Sequence, residues 1–374
     1  MIARRGVRSF SGLATKKPAG YHVNPFGVKR GPGGRSSDSG ITATVFGAYG
    51  FVGRYFVEEL GSVGSRVYIP FRGCELEVRH LKPMFDLGQL GLMPFSPRDK
   101  DSIYEAVKKS DIVINMIGKH YETKHLIPTR RADGKLSRVN YDFEEVHVNI
   151  PKTIAEISKE AGVPAFIHVS SLSADLNSKS QWSRTKAQGE LAVREVYSDS
   201  IIVKPATIFG PEDRFLNWIA ETQSRAEMFP LLDGGNTLVQ PVFANDVGKA
   251  LMAIVEGYEE FQGKTFQLAG PAEYTYKEVA EFVADIGGIN ACLTSVPSWA
   301  ATAAGTAMEQ MVNPILTPDM VSYLSVEDVL PKANPEWLDF SDLNIEPTSM
   351  DKVAFEFLHR FRPGGHFTLA EGYH

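Results

Sequence analysis

Three glycines, Gly47, Gly50 and Gly53, follow the apolar run Ile41-Thr42-Ala43-Thr44-Val45-Phe46 at intervals of three residues. The chemistry such a group performs is the holding of a pyrophosphate. Gly47 turns the chain, Gly50 lets the backbone approach phosphate, and Gly53 lets the following helix pack closely on the strand. Tyr49, Phe51 and Val52 lie between them and Arg54 directly after. The unpaired N–H groups and the positive dipole end of that helix would bind the anion, so the expected ligand is a dinucleotide. An acidic residue to grip the adenosine ribose is missing from the end of the second strand, where Val67-Tyr68-Ile69-Pro70-Phe71 ends in Arg72. A guanidinium there suits a 2′-phosphate and gains little from a bare diol, which favours NADP(H). Arg54 is available as a second cation, and Glu75 is near enough to serve as the missing acid instead. Asp86-Leu87 could bond the adenine amino group, and Asn115 and Gly118 follow the fourth strand where the second ribose would pass.

The G-x-x-G-x-x-G spacing resembles that of short-chain dehydrogenases and reductases. Such a reductase needs an ionisable Tyr four residues before a Lys on one helix, so that both share a face, and a Ser to polarise a carbonyl. Here Phe166-Ile167-His168-Val169 delivers Ser170 and Ser171, and the next helix carries Trp182-Ser183-Arg184-Thr185-Lys186. The Lys is present, but an indole stands where the phenol should be, and an indole is no proton acid or base near neutral pH. No other Tyr is expected near; Tyr197 is fifteen residues on. The carbonyl-reduction site is therefore expected to be silent. His168 reads as a satisfied core residue, and His120 and His125 as solvated loop residues.

The elements that must position these groups alternate along the chain. Strands are expected at 41–47, 66–71, 111–117, 165–170, 201–206 and 265–268, and helices at 51–62, 99–109, 141–161, 183–197, 245–257, 275–286 and 349–361. Short apolar runs such as Ile112-Val113-Ile114-Asn115-Met116-Ile117 suit a parallel strand covered on both faces. Asp99 reads as a helix cap, and Thr275 with Glu278 as a capping box. The pattern predicts an α/β fold, a Rossmann-like doubly wound parallel sheet of the extended short-chain dehydrogenase type. Beyond about residue 290 the alternation dissolves into a smaller irregular lobe. The expected division is 21–40 an extended arm, 41–270 the NADP(H)-binding domain, and 271–374 a C-terminal lobe and docking segment, where the basic aromatic run Phe355 to Arg362 suits either a docking face or core packing of its aromatics.

With 374 residues, 43% hydrophobic and 22% charged, the chain reads as globular. No apolar stretch approaches the eighteen or so residues that span a bilayer, so no transmembrane segment is expected. Two distant cysteines, Cys74 and Cys292, argue against a disulfide framework or zinc site. Before Asp38 there is no acidic residue, yet Arg4, Arg5, Arg8, Lys16, Lys17, Lys29, Arg30 and Arg35 are basic. This is the composition of a mitochondrial transit peptide, expected over 1–20. Setting those cations aside leaves 31 basic against 45 acidic residues, which argues against nucleic acid as a partner.

Together these residues resemble one family: the Rossmann-fold, NADPH-binding accessory subunits of mitochondrial respiratory complex I, atypical extended short-chain dehydrogenases. The pieces that carry the resemblance are the arm Gly33 to Gly40, the run Ala43 to Arg54, Ile69-Pro70-Phe71-Arg72, Asp86 to Leu90 and Val113 to Gly118. His168 to Ser171, Lys186 to Glu190, Val203 to Gly210 and Glu212-Asp213-Arg214-Phe215-Leu216-Asn217 complete it. It covers about residues 31–290 closely, and the arm and the Glu212–Asn217 run are its most specific parts. It implies an accessory subunit on the matrix side of the inner membrane, near the quinone site, among other complex I subunits and with possible contact to surface lipid. It also implies tightly held NADPH, with Ser170, Lys186 and Pro205 joining the glycine loop in the site. An active NADP-dependent reductase or epimerase is the alternative.

Overall fold

The computed structural model describes residues 33–122, 124–130, 136–311, 314–331 and 337–362. The expected transit peptide and most of the arm lie outside them. Eight strands form one parallel sheet: β1 (Thr42–Phe46), β2 (Arg66–Phe71), β3 (Leu90–Pro94), β4 (Ile112–Asn115), β5 (Ala165–Val169), β6 (Ile201–Pro205), β7 (Thr265–Leu268) and β8 (Trp337–Leu338). Their order is β8-β7-β6-β5-β4-β1-β2-β3. The order reverses at β1, and that switch point opens a crevice at the carboxyl ends of β1 and β4.

Alternation along each strand divides the apolar residues between two faces. Ala43, Val45, Ile112, Ile114 and Ile167 pack against Phe56, Val57 and Leu60 of α1 (Phe51–Ser62). Phe46, Val113 and Phe166 face the other way, onto α2 (Lys100–Val107), α3 (Ile150–Glu160) and Val193 of α4 (Gln181–Val196). A π-helical turn, Glu145–Asn149, leads into α3. Two helix starts are capped as expected: the Asp99 side chain accepts from Asp101 N, and Thr275 and Glu278 bond reciprocally.

A second core lies beside the sheet. It draws on α5 (Leu216–Ala226), the strand Met228–Leu232, α7 (Tyr276–Gly287), the strand Cys292–Val296 and α10 (Met350–Leu358), whereas α6 (Ala244–Glu256) belongs to the main core. Between the last two elements of the second core run α8 (Ser298–Met308) and α9 (Pro318–Leu324). Residues 209–239 thus supply the second core, while β8 returns to the main sheet beside β7. The two cores therefore do not divide at residue 270. The Phe355–Arg362 run turns inward: Phe357 and Leu358 are buried, Arg360 donates to Asn217 Oδ1 at 2.6 Å and Arg362 to the Ile286 carbonyl at 2.7 Å. Its aromatics pack against the second core. Among the described residues no helix is long and apolar enough to cross a membrane.

Candidate functional site

The glycine turn is built as its spacing requires. Gly47 has φ +81°, and a Cβ there would lie 2.9 Å from the Met116 carbonyl group. A Cβ on Gly53 would meet the Gly47 and Ala48 carbonyl oxygens at 2.5 and 2.6 Å, so only glycine lets α1 sit this close to β1. Gly50 is different. It caps α1 in extended conformation, makes no side-chain cap bond, and is exposed. No acidic residue occupies the first turn of α1. The helix therefore presents free N–H groups and its positive end to the crevice. These residues fit a dinucleotide pyrophosphate. Tyr49, Phe51 and Val52 are half-buried around the turn, and Phe51 packs edge-on against Tyr55.

Other expected cofactor residues are placed less uniformly. Arg72 leaves the carboxyl end of β2 beside the crevice and is exposed, its guanidinium 5.2 Å from the Tyr141 ring centroid. Glu75, the alternative acid, is tied to Lys82 at 2.6 Å. Arg54 is ion-paired with Glu212, which fastens α1 to the segment before α5, so its charge is already neutralised. Asp86 and Leu87 are a correction. They precede β3, and the parallel register pairs Leu90 with Val67 and Pro94 with Phe71. They therefore lie at the amino edge of the sheet, roughly 16 Å along the strand from the crevice. There Gln89 Nε2 donates to the Arg35 and Ser37 carbonyls at 2.7 and 3.1 Å, so this run holds the arm. Asn115 is likewise spent internally: its amide bonds His168 Nδ1 at 3.1 Å and accepts from Ile117 N at 3.2 Å.

At the far end of the crevice the structure gathers Lys186, Trp182, Gly118, Ser170 and Pro205. Lys186 is buried, its Nζ 5.8 Å from the Trp182 ring centroid. Gly118 makes room for it, since a Cβ there would sit 3.2 Å from that nitrogen. Burial lowers the Lys186 pKa to about 8, with Glu190 opposing. Ser170 turns away from this space and donates to Glu190 Oε1 at 2.5 Å, and Glu190 pairs with Lys204 at 3.2 Å. The Ser171 and Ser173 hydroxyls bond each other at 3.1 Å. Pro205 is buried, and its carbonyl accepts from Leu172 N.

The surroundings of Trp182 were not legible in the sequence. Its indole N–H donates to the Lys119 carbonyl at 2.5 Å. The ring stacks on His120 at 5.8 Å and meets His147 and Tyr323 edge-on at 6.1 and 5.0 Å. Tyr323 comes from α9, far along the chain, and corrects the expectation that no other phenol is near. Its hydroxyl contacts the Thr207 and Ser173 hydroxyls, and burial, then Asp328, push its pKa well above the usual range. Asp328 accepts from Thr207 N and Oγ1, both at 2.6 Å. Asp319 caps α4 from outside, accepting from Ser180 Oγ, Gln181 N and Trp182 N at 3.1, 2.5 and 3.0 Å. Residues 317–330 thus form a strap over the crevice, anchored at three points. The His168 side chain is buried as expected but only half satisfied: Nε2 has no partner among the described residues, and burial lowers its pKa to about 3. The His125 side chain lies outside the described residues.

Comparison with known proteins places this geometry. The family model "NAD dependent epimerase/dehydratase family" matches residues 43–269. The chain is 40% identical over 342 residues to mouse (Mus musculus) "NADH dehydrogenase [ubiquinone] 1 alpha subcomplex subunit 9, mitochondrial", covering 90% of this chain and 84% of that protein. Its Arabidopsis thaliana counterpart is 38% identical over 368 residues, covering 96% and 86%. A dTDP-glucose 4,6-dehydratase from Bacillus anthracis, solved with NAD, superposes at TM-score 0.59 with 13% identity, over 85% of this chain and 95% of that one.

Proposed function

The chain belongs to the NAD dependent epimerase/dehydratase family and, within it, to the alpha subcomplex subunit 9 proteins, and from that premise we propose a non-catalytic, NADPH-holding accessory subunit of mitochondrial complex I. It docks among other complex I subunits, peripherally on the matrix side of the inner membrane. The glycine cradle holds the pyrophosphate, Arg72 the 2′-phosphate, and Lys186 the nicotinamide ribose. A nucleotide that binds only the folded chain stabilises it by mass action.

The observation that carries the absence of turnover is the state of Trp182. Its one N–H is committed to the Lys119 carbonyl and its ring is packed among His120, His147 and Tyr323, so the position facing Lys186 holds no proton donor. The competing reading, an active NADP-dependent reductase, would have to use Tyr323. Burial, and next the Asp328 charge, raise the pKa of that hydroxyl, which makes it a poor acid. Mass spectrometry of the protein purified natively from membranes should release NADPH and identify complex I subunits as companions. Steady NADPH oxidation with a carbonyl substrate, abolished by Lys186→Met, would instead establish the reductase.

A further inference from the structure

Three cationic side chains meet at Tyr141. The Arg98 guanidinium lies 4.2 Å from its ring centroid, Arg72 5.2 Å, and Lys119 Nζ 5.8 Å. Two of the three are otherwise engaged. Arg98 grips Glu145 through two contacts of 2.5 and 2.9 Å and donates to the Asn140 carbonyl at 2.9 Å. Lys119 donates to the Tyr141 carbonyl at 3.3 Å. These bonds fix the backbone on both sides of Tyr141 and support its ring. Arg72 is the exception, for no carboxylate pairs with it among the described residues. Burial, and next the Arg72 charge, lower the Lys119 pKa, with Glu122, Glu145 and Asp142 opposing.

An exposed arginine ordinarily spreads over many rotamers. A guanidinium stacked on an aromatic face loses that freedom, yet keeps its N–H groups, which lie in its plane, free for oxygen acceptors. The geometry points to Tyr141 as a positioning residue that holds Arg72 at the carboxyl end of β2, and so sets the preference for phosphorylated over unphosphorylated coenzyme. This rests on the reading that Arg72 receives the 2′-phosphate. The signal was invisible in the sequence because Arg72, Arg98 and Tyr141 come from three separate loops at one edge of the sheet.

The test is titration of the full chain with NADPH and with NADH. Tyr141→Leu should weaken NADPH binding about three- to fivefold, the size of an exposed cation–π contact, and leave NADH binding unchanged. Tyr141→Phe, which keeps the ring, should match the parent. Arg72→Leu should lose the preference outright, and adding Tyr141→Leu to it should change nothing further. An unchanged NADPH-to-NADH ratio in Tyr141→Leu, with Arg72→Leu losing it, overturns the role of Tyr141 and spares the coenzyme reading. So does an equal loss of both coenzymes, which would mark a general packing role; Arg98→Leu, which withdraws the ring's support, is the second variant if Tyr141→Leu fails to fold, and must lower the same ratio. A parent protein without preference, or one whose preference survives Arg72→Leu, overturns the coenzyme reading and this inference with it.

Discussion

Lys186 is a buried ammonium facing an indole where a reductase would present a phenol. Its pKa of about 8 in the folded chain lies below the ordinary 10.5. The unfolded chain therefore binds the proton more tightly between those values. Stability from this group rises with pH from about 8 to about 10.5 and is flat below 8. The charged form costs up to about 3 kcal/mol at neutral pH. Lys186→Met should accordingly raise the melting temperature of the nucleotide-free protein at pH 7, with an advantage that shrinks towards pH 10. Melting curves of both proteins across that range test this, and a pH-independent difference would show that burial of the charge is not the cause. The Lys186 and Trp182 types and spacing were readable because both lie on one helix. The commitments of Ser170 to Glu190 and of Arg54 to Glu212 were not, because each joins elements distant in the chain.

At the scale of elements, β1, the glycine turn and α1 form one unit with two separable functions. Gly53 is a packing residue, since its missing Cβ is what lets backbone meet backbone. Gly50 is exposed and extended, and a Cβ there meets only the Gly47 oxygen, at 3.1 Å. Gly53→Ala should therefore destabilise the nucleotide-free fold by roughly 1–3 kcal/mol, the cost of overpacking. Gly50→Val should leave that fold nearly unchanged and block nucleotide binding. Thermal melts and nucleotide content of the two variants check this; equal behaviour would merge the roles. Most elements were legible from apolar periodicity, and α1, β2 and β7 keep their expected bounds. β3 and β8 carry no such signal, because Leu90-Gly91-Leu92-Met93-Pro94 is short and interrupted by glycine and β8 is two residues long.

For the whole molecule, the decisive arrangement is the strap, which ties the C-terminal segment to the crevice. Asp319 accepts three hydrogen bonds at the start of α4, and trans capping of this kind is worth about 0.5–2 kcal/mol. Asp319→Ala should lower the melting temperature, hasten proteolysis within residues 317–330, and leave nucleotide content intact. Unaltered cleavage there would remove the strap's structural role.

The sequence by itself determined the α/β alternation, the glycine cradle and the loss of the phenol at position 182, because each is local: periodicity, turn geometry and i to i+4 spacing act within one element or its neighbour. Only the tertiary structure decided which charges remain free. Arg54 is neutralised, Arg72 lies on Tyr141 with no carboxylate partner among the described residues, Asp86 faces the wrong edge, and Tyr323 closes on Trp182. Those outcomes depend on strand register and on which distant segment desolvates a group. Neither is encoded in the spacing of residues along the chain.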